Sequence, residues 1–452
     1  MKQSRIIPLF KKGSKSDPSN FRPISILPAI SKIFEKEILN QLQSYFNINT
    51  LLHSHQYGFT KGVSTTDAGV TLIRYIFKAW EDYHDVIGVF CDLSKAFDCV
   101  DHNTLIHKLK YYGIEGTALD LMTDYLTDRV QSVDVNGHKS TGLPVKIGVP
   151  QGSILGPFLF LIYVNDLPFL IQSFCEIILF ADDTSLLFKL NDLIQVNNTL
   201  NKVRDWFNTN NLVLNASKTK CIRFSLPNVK HVNSQVKIDN IQINVETTTT
   251  FLGMKLDSGL QWGQHIESLS DKLSSAAFAV RKIRQLTDVD TARLVYFSYF
   301  HSVMSYGLLL WGAAADIDSI FILQKRAVRA IYNMKRNESL REQFKKAKIL
   351  TLPSLYIYEV IIYTRKNIDL FNRKCDYHKH NTRYKNKLQV QTYRLSKTKK
   401  SFMGNCVKFY NKIPASVTDL TETKFRQQVK MTLISKAYYK IQDYIDDKYV
   451  WV

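Results

Sequence analysis

The chain has 452 residues, 45% of them apolar, and a formal net charge of +20. That composition is globular rather than disordered, and the length accommodates two to four domains. Six scattered cysteines without CxxC spacing argue against a zinc site and a disulfide framework. No stretch reaches the roughly 18 uninterrupted apolar residues of a membrane span. The opening MKQSRIIPLFKKG has too short an apolar run for a signal peptide, so the expected setting is intracellular, nucleus or cytoplasm.

The charge is unevenly placed. Residues 1–320 hold 31 Lys and Arg against 30 Asp and Glu, whereas residues 321–452 hold 29 against 10. A localised basic excess suits a polyanion, because each cation that neutralises a phosphate releases condensed counterions. The plainer readings are a solubility tail or a surface for an acidic protein.

In chain order, residues 5–10 read as a strand and KKGSKSDPSN (11–20) as a polar loop. ISKIFEKEILNQLQSYF carries apolar residues at helical spacing, with Ile33, Phe34, Ile38, Leu39 and Leu42. A loop with Gly58 and Gly62 precedes a helix near 65–80. VIGVFC (86–91) is an apolar strand that stops at Asp92. Helices follow, one ending at Gly113 and one over 116–127. Asn136-Gly137 marks a hairpin turn. GSILGPFLFLIYVNDLP is apolar and helix-length. IILFADDTSLLF (177–188) has two strand-length flanks around Asp182-Asp183, which predicts a hairpin with the Asp pair at its turn. A helix near 194–209 and a strand at 219–225 complete an α+β pattern. Beyond Gly259, IESLSDKLSSAAFAVRKIRQL and DTARLVYFSYFHSVMSYGLLLW read as two helices. The basic third interleaves Tyr356, Tyr358, Tyr363, Phe371, Tyr377, Tyr384 and Tyr393.

An Asp at a strand end and an Asp-Asp turn can set two or three carboxylates around one point. Hard divalent cations take such oxygen ligands and leave positions for substrate phosphates. A pair of them supports nucleotidyl transfer. For an isolated Asp-Asp an ordinary turn is the better explanation, because Asp is a common turn former. Between the two carboxylate sites lies GVPQGSILGPFLF (148–160), whose glycines allow a ligand close to the backbone.

These segments together resemble a known family. CDLSKAFDCVDH, GVPQGSILGPFLFLIYVNDLP, LFADDTSLLF, LNASKTK and TTFLGMKLD are similar to successive blocks of the reverse transcriptases of non-LTR (LINE-type) retrotransposons. RIIPLFKKGSKSDPSNFRPISIL and HSHQYGFTKGVSTTDA resemble that family's fingers blocks. LQKRAVRAIYN, ILTLPSLYIYE and SFMGNCVKFYNKIP are similar, more loosely, to the downstream part of jockey- and CR1-like elements.

The resemblance implies a right-hand polymerase: partial fingers (1–85), an α+β palm (86–256), a helical thumb (257–330) and a basic helical C-terminal region (331–452). It implies an RNA-directed DNA polymerase using dNTPs, template RNA, primer or target DNA and two Mg²⁺ ions, with Mn²⁺ as a substitute. Asp92, Asp182 and Asp183 would ligate metal, with the Leu93 carbonyl. Phe97 would be the steric gate against a ribose 2′-OH. Gln151 and Gly152 would line the incoming nucleotide, and Lys11 and Arg22 would bind its triphosphate. Lys218 would lie by the triphosphate as proton donor, and Phe251, Leu252 and Gly253 would form the primer grip. Taken alone, Phe97 and Phe251 read as core and Lys11 and Lys218 as solvated charges.

The family commonly has Arg where this chain has Thr60, with Lys61 as the compensating charge. The chain starts at the edge of the first fingers block, without the endonuclease domain that usually lies upstream, so a fragment or a truncated copy is expected. The alternative function is an inactive remnant that only binds nucleic acid. A metal-dependent phosphotransferase would leave the basic third unexplained.

Overall fold

The computed structural model describes residues 2–215, 218–227, 235–238, 241–376 and 387–451. Tyr377 and Tyr384, and Ala216 and Ser217 of LNASKTK, lie outside the described residues. The chain forms two compact units, residues 1–75 with 84–247, and residues 76–83 with 248–452.

The first unit opens with β1 (Gln3–Phe10), β2 (Phe21–Ile26), α1 (Ala29–Ile48) and α2 (Thr65–Glu81), whose last turns belong to the second unit. Next come β3 (Val86–Cys91), β4 (Leu93–Ser94), α3 (His102–Tyr111), α4 (Gly116–Leu126), β5 (Arg129–Val135), β6 (His138–Lys139) and β7 (Leu143–Val145). Helices α5 (Gly156–Val164) and α6 (Leu167–Ile171) lead to β8 (Glu176–Phe180), β9 (Asp183–Lys189) and α7 (Leu193–Thr209). Strands β10 (Val213–Leu214), β11 (Lys220–Phe224), β12 (Val236–Ile238), β13 (Ile241–Ile243) and β14 (Val245–Glu246) close the unit.

The principal sheet has the order β14-β11-β3-β9-β8, antiparallel except at β14. Its centre, β3 and β9, is buried on both faces, which explains its continuous apolar runs. Helix α5 is apolar all round and buried along its length, so it serves as core.

Several elements differ from their sequence signal. The apolar stretch GSILGPFLFLIYVNDLP divides into α5 and α6, with Pro168 in the first turn of α6. Strand β2 is hidden in sequence by Pro23, which lies opposite Pro8 on the outermost strand of its sheet, where a missing N–H costs little. The Asn136-Gly137 turn forms as expected, with φ of +53° and +88°.

The second unit begins with the hairpin β15 (Thr248–Phe251) and β16 (Met254–Asp257). Helices α8 (Gly263–Leu286), α9 (Val289–Val295), α10 (Ser302–Ser305), α11 (Leu308–Trp311), α12 (Ile317–Tyr332), α13 (Arg341–Lys346) and α14 (Leu352–Lys366) follow. Its last elements include α15 (Ser396–Lys400), α16 (Phe402–Tyr410), α17 (Ala415–Thr418), α18 (Glu422–Lys436) and α19 (Ile441–Asp446). The single helix expected over DTARLVYFSYFHSVMSYGLLLW is broken. A π-helical turn covers Tyr296–His301, and Gly307 adopts a φ of +63° where a Cβ would meet Met254 Sδ at 2.5 Å. Of the interleaved aromatics, Tyr356 is fully buried beside Asn405 and is a core residue. Among the described residues no helix is long and apolar enough to cross a membrane.

Candidate active site

Strand register assembles the carboxylates. Antiparallel β3 and β9 pair Cys91 with Thr184, so the next position sets Asp92 across from Asp183. Antiparallel β11 and β3 pair Lys220 with Phe90; just ahead of β11, Lys218 N–H turns back to Asn215 O at 3.1 Å, and Asn215 N–H donates to Asp92 O at 2.9 Å. Lys218 Nζ lies 3.8 Å from Asp92 Oδ2, an exposed and therefore weak ion pair. A one-residue slip of either pairing would turn a carboxylate to the other face of the sheet.

The turn joining β8 to β9 lies one residue ahead of the expected Asp-Asp turn. Phe180 pairs with Asp183, so the two turn residues are Ala181 and Asp182, and Asp183 is the first residue of β9. Ala181 carries a φ of +57° at the position that favours glycine. Such a residue persists only where neighbours enforce it.

Those neighbours come from His55–Gly58, which runs beside β8. Tyr57 N–H donates to Leu179 O at 2.8 Å, and Leu179 N–H donates to His55 O at 2.9 Å. Buried Gln56 accepts at Oε1 from Gly58 N–H (3.0 Å) and Ala181 N–H (3.3 Å). Gln56 Nε2 is buried without a partner, held in place by what its oxygen does. A Cβ on Gly58 would sit 2.4 Å from Ala181 N. Thr60, where the family commonly has Arg, donates through its hydroxyl to Gly58 O at 3.2 Å.

The carboxylates repel one another. Asp183 is pushed up to about 6, through shielding from water and then the charges of Asp182 and Asp92, although its side chain still reaches solvent. Asp182 is raised by burial and by Asp92, and Lys11 and Arg22 act in the opposite sense. Lys11 and Arg22 are both exposed. Leu93 is buried at the start of β4. Among the described residues, no three His, Cys, Asp or Glu side chains converge closely enough to ligate a single ion as they stand. The donor set is nonetheless hard oxygen held in mutual repulsion, which a divalent cation would relieve.

Beside the carboxylates, four hydrogen bonds latch Phe97–His102 to Gly148–Gln151. Val149 N–H donates to Phe97 O (2.8 Å), and Gly148 N–H donates to Val100 O (2.7 Å). His102 Nε2 bonds Gly148 O at 2.8 Å. Gln151 Nε2 donates to Asp98 Oδ1 at 2.9 Å. Burial raises the pKa of Asp98. Half-buried Phe97 stacks on Phe160 at 4.6 Å and meets exposed Phe59 edge-on at 6.5 Å. Gly152, at a φ of +124°, has Ser25 O where a Cβ would come within 2.5 Å. Ser25 N–H in turn donates to Gln151 O at 2.7 Å.

Buried Glu35 accepts from Ile154 N–H at 2.6 Å and fixes the start of the α5 segment. Sequence reasoning missed Glu35, Gln56 and Asp98. Only Glu35 left a signal: it shares an apolar helix face with Leu39, Leu42 and Phe46.

Phe251, Leu252 and Gly253 lie in the second unit, at the β15–β16 turn, with φ values of +45° at Leu252 and +81° at Gly253. Tyr306 donates its hydroxyl to Leu252 O at 2.6 Å. Lys397, one of the cations of the basic third, donates to Gly259 O and lies over Trp80.

Residues 10–256 match the family model described as reverse transcriptase (RNA-dependent DNA polymerase). The chain is 30% identical over 352 residues to a probable RNA-directed DNA polymerase from transposon BS of Drosophila melanogaster, covering 73% of this chain and 38% of that protein. It is 28% identical to the RNA-directed DNA polymerase from mobile element jockey of the same species, covering 73% and 37%. The chain thus spans well under half the length of these relatives. Among solved structures, the telomerase of Candida tropicalis with a TWJ fragment of telomeric RNA aligns over 100% of this chain and 64% of that chain, at 13% identity and a TM-score of 0.46. That likeness is too loose to carry an argument.

Proposed function

The chain belongs to the reverse transcriptase (RNA-dependent DNA polymerase) family, and on that premise we propose that it extends a DNA 3′-OH on an RNA template with dNTPs, as in non-LTR retrotransposition. The observation that carries the reading is strand register, which sets Asp92 across from Asp183 and Asp182 in the adjoining turn, with the charges of Lys11 and Arg22 opposing the rise at Asp182.

Reverse transcriptases generally use divalent metal ions. Here Asp92, Asp182, Asp183 and the Leu93 carbonyl would hold two Mg²⁺, or Mn²⁺ in their place. Bound there, the ions would stabilise the charge that develops on the attacking and leaving oxygens. Lys11 and Arg22 neutralise the triphosphate. Lys218 stands beside Asp92, placed to give a proton to departing pyrophosphate. Phe97, stiffened by Phe160, excludes a 2′-OH. Asp98 fixes Gln151 so that its carbonyl oxygen faces away from Asp98, toward the nucleotide. The primer 3′-oxygen bonds to the α-phosphorus as the bond to pyrophosphate breaks, and the protein contributes position and field. Residues 1–85 serve as partial fingers, 86–256 as palm, 257–330 as thumb with its preceding primer grip at Phe251–Gly253, and 331–452 as a basic region for template RNA or target DNA.

The test is extension of a DNA primer on an RNA template with dNTPs and Mg²⁺, beside Asp182→Ala. Wild-type product with a loss of at least about 10³-fold in the variant is expected, since several kcal/mol of charge stabilisation depend on that carboxylate. No product from the wild type, with RNA binding retained, would leave a nucleic-acid-binding remnant. Undiminished synthesis by Asp182→Ala would overturn the site.

A further inference from the structure

The second unit contains an open groove between α8 and α12 that no step above uses, with a volume of about 1010 Å³. Its cationic lining is Arg281 from α8, Lys325, Arg326 and Arg329 from α12, and Arg336 just beyond; no Asp or Glu lines it.

Helical spacing makes this a track. On α12, Ile322, Arg326 and Ala330 recur every four residues, and Lys325 and Arg329 form the adjacent row. On α8, Ser274, Phe278, Arg281 and Gln285 recur at three and four. At about 1.5 Å rise per residue, the α8 stripe is about 16 Å long. Arg281, Arg326 and Arg336 are exposed, and no carboxylate among the described residues pairs with them. Lys325, by contrast, rests over Phe321 at 4.7 Å, and Arg329 donates to Glu338 O at 3.2 Å. The groove thus has cations anchored in its wall and cations free at its surface.

Apolar surface is mixed with this charge. Phe278 is 61% exposed and Ile322 45% exposed. Lys282 Nζ lies over the Phe278 ring at 5.6 Å, so the ring already holds one cation, and its remaining open surface beside a cationic track matches a base beside its phosphate. Duplex nucleic acid hides the faces of its bases; a single strand presents both phosphates and faces.

We infer that the α8–α12 groove binds single-stranded nucleic acid, with Arg281, Arg326 and Arg336 on successive phosphates and Phe278 as the stacking platform. This places a strand contact on residues 274–336, beyond the polymerase reading and largely ahead of the basic C-terminal third. It needs neither metal nor nucleotide, so its failure is separate from any failure of synthesis.

The test is fluorescence anisotropy of the full chain with a short labelled oligouridylate, an oligothymidylate and a duplex of the same length, over a salt series. The triple variant Arg281→Gln, Arg326→Gln, Arg336→Gln should bind the single strands roughly 10- to 100-fold more weakly, with the salt dependence shallower by about 2 in log–log slope. Phe278→Ala should weaken binding roughly 5- to 100-fold and leave the slope unchanged. Restoring charge with three Arg→Lys changes should recover the slope. All four side chains are exposed, so equal melting temperatures are expected and confirm folding. The uridylate and thymidylate arms identify RNA or DNA as the strand held. An unchanged slope in the triple variant, an equal loss from Lys399→Gln with Lys400→Gln, or tighter binding of the duplex would overturn the proposal.

Discussion

The acidic turn of the first unit and the basic surface of the second use charge in opposite ways. The first unit is nearly neutral, with 24 Lys and Arg against 21 Asp and Glu, and the charge of its proposed site is three carboxylates placed by strand register and the adjoining turn. The second carries 36 against 19, spread over many helices. Moving one carboxylate by a residue would destroy the first arrangement, whereas the second depends on how many cations face outward. Geometry governs the one and number governs the other, so perturbations of position and of charge should act on them differently.

The sharpest break of the comparison adds no charge at all. Gly58→Ala sets a methyl group 2.4 Å from Ala181 N, in the backbone of the Asp182 turn. Either the His55–Gly58 segment or the turn must shift. Displacement of about 1 Å at a reacting centre costs on the order of 10²-fold. Primer extension should fall by about that factor while binding of a labelled oligonucleotide stays within a few-fold of wild type. Parallel loss of binding and melting temperature would mean that the segment supports the whole unit rather than the turn.

The neighbouring latch separates position from size. Phe97→Ala should raise ribonucleotide incorporation relative to deoxynucleotide by at least about 10-fold, because one lost ring opens room for a hydroxyl. Asp98→Asn keeps the volume and an acceptor oxygen but removes the negative charge that strengthens its bond from Gln151 Nε2. It should raise KM for dNTPs several-fold with little change in kcat. Steady-state incorporation on one template measures both. Unchanged sugar selectivity in Phe97→Ala would return that ring to a packing role.

Lys397 tests the other half of the comparison, since it is a cation of the second unit that serves geometry. Its ammonium donates to Gly259 O, and Arg394 nearby donates to Trp80 O and lies 3.8 Å from the Tyr83 ring. Lys397→Ala should lower the melting temperature by several degrees, the loss expected for a hydrogen bond from a charged group, at roughly 1.5–3 kcal/mol. The exposed Lys399 and Lys400 should each shift it by less than about 1 °C when replaced by Gln. Equal effects would place Lys397 with the solvent-facing cations after all.

The legibility of the two regions differed for the same reason. An apolar strand ending at Asp92 and an apolar hairpin around Asp182 are local patterns, and pairing β3 with β9 converts them directly into a cluster. The turn itself was read one residue too late, because Asp tolerates turn dihedrals and Ala181 gives no sign of its left-handed backbone. Gln56, Gly58 and Asp98 were invisible as site residues because their partners lie 53 to 125 residues away in sequence, or on backbone that no motif marks. In the second unit, composition revealed the excess of charge but not its use. Lys325, Lys397 and Tyr356 look alike in sequence to neighbours that face solvent, and only packing separates them.

The smallest effect concerns proton linkage at the acidic turn. Asp183 titrates near 6 in the folded chain, against an ordinary carboxylate value of 3.8, and Asp182 is also raised. A carboxylate whose folded pKa is raised favours the folded state below its unfolded pKa. That contribution is lost as pH climbs from about 4 through about 6. Above this window the metal-free protein bears the repulsion of Asp92, Asp182 and Asp183. Asp183→Asn should therefore raise the melting temperature of metal-free protein at pH 7.5 by one to a few degrees, and change it little at pH 4. Mg²⁺ should stabilise wild type at pH 7.5 and lose that effect as pH falls below about 6, where protons compete for the same oxygens. Asp183→Asn should blunt the response to Mg²⁺ at every pH. A thermal melt series with and without Mg²⁺ measures all three effects. Equal Mg²⁺ stabilisation at pH 5 and pH 7.5 would mean that the ion binds elsewhere than this turn.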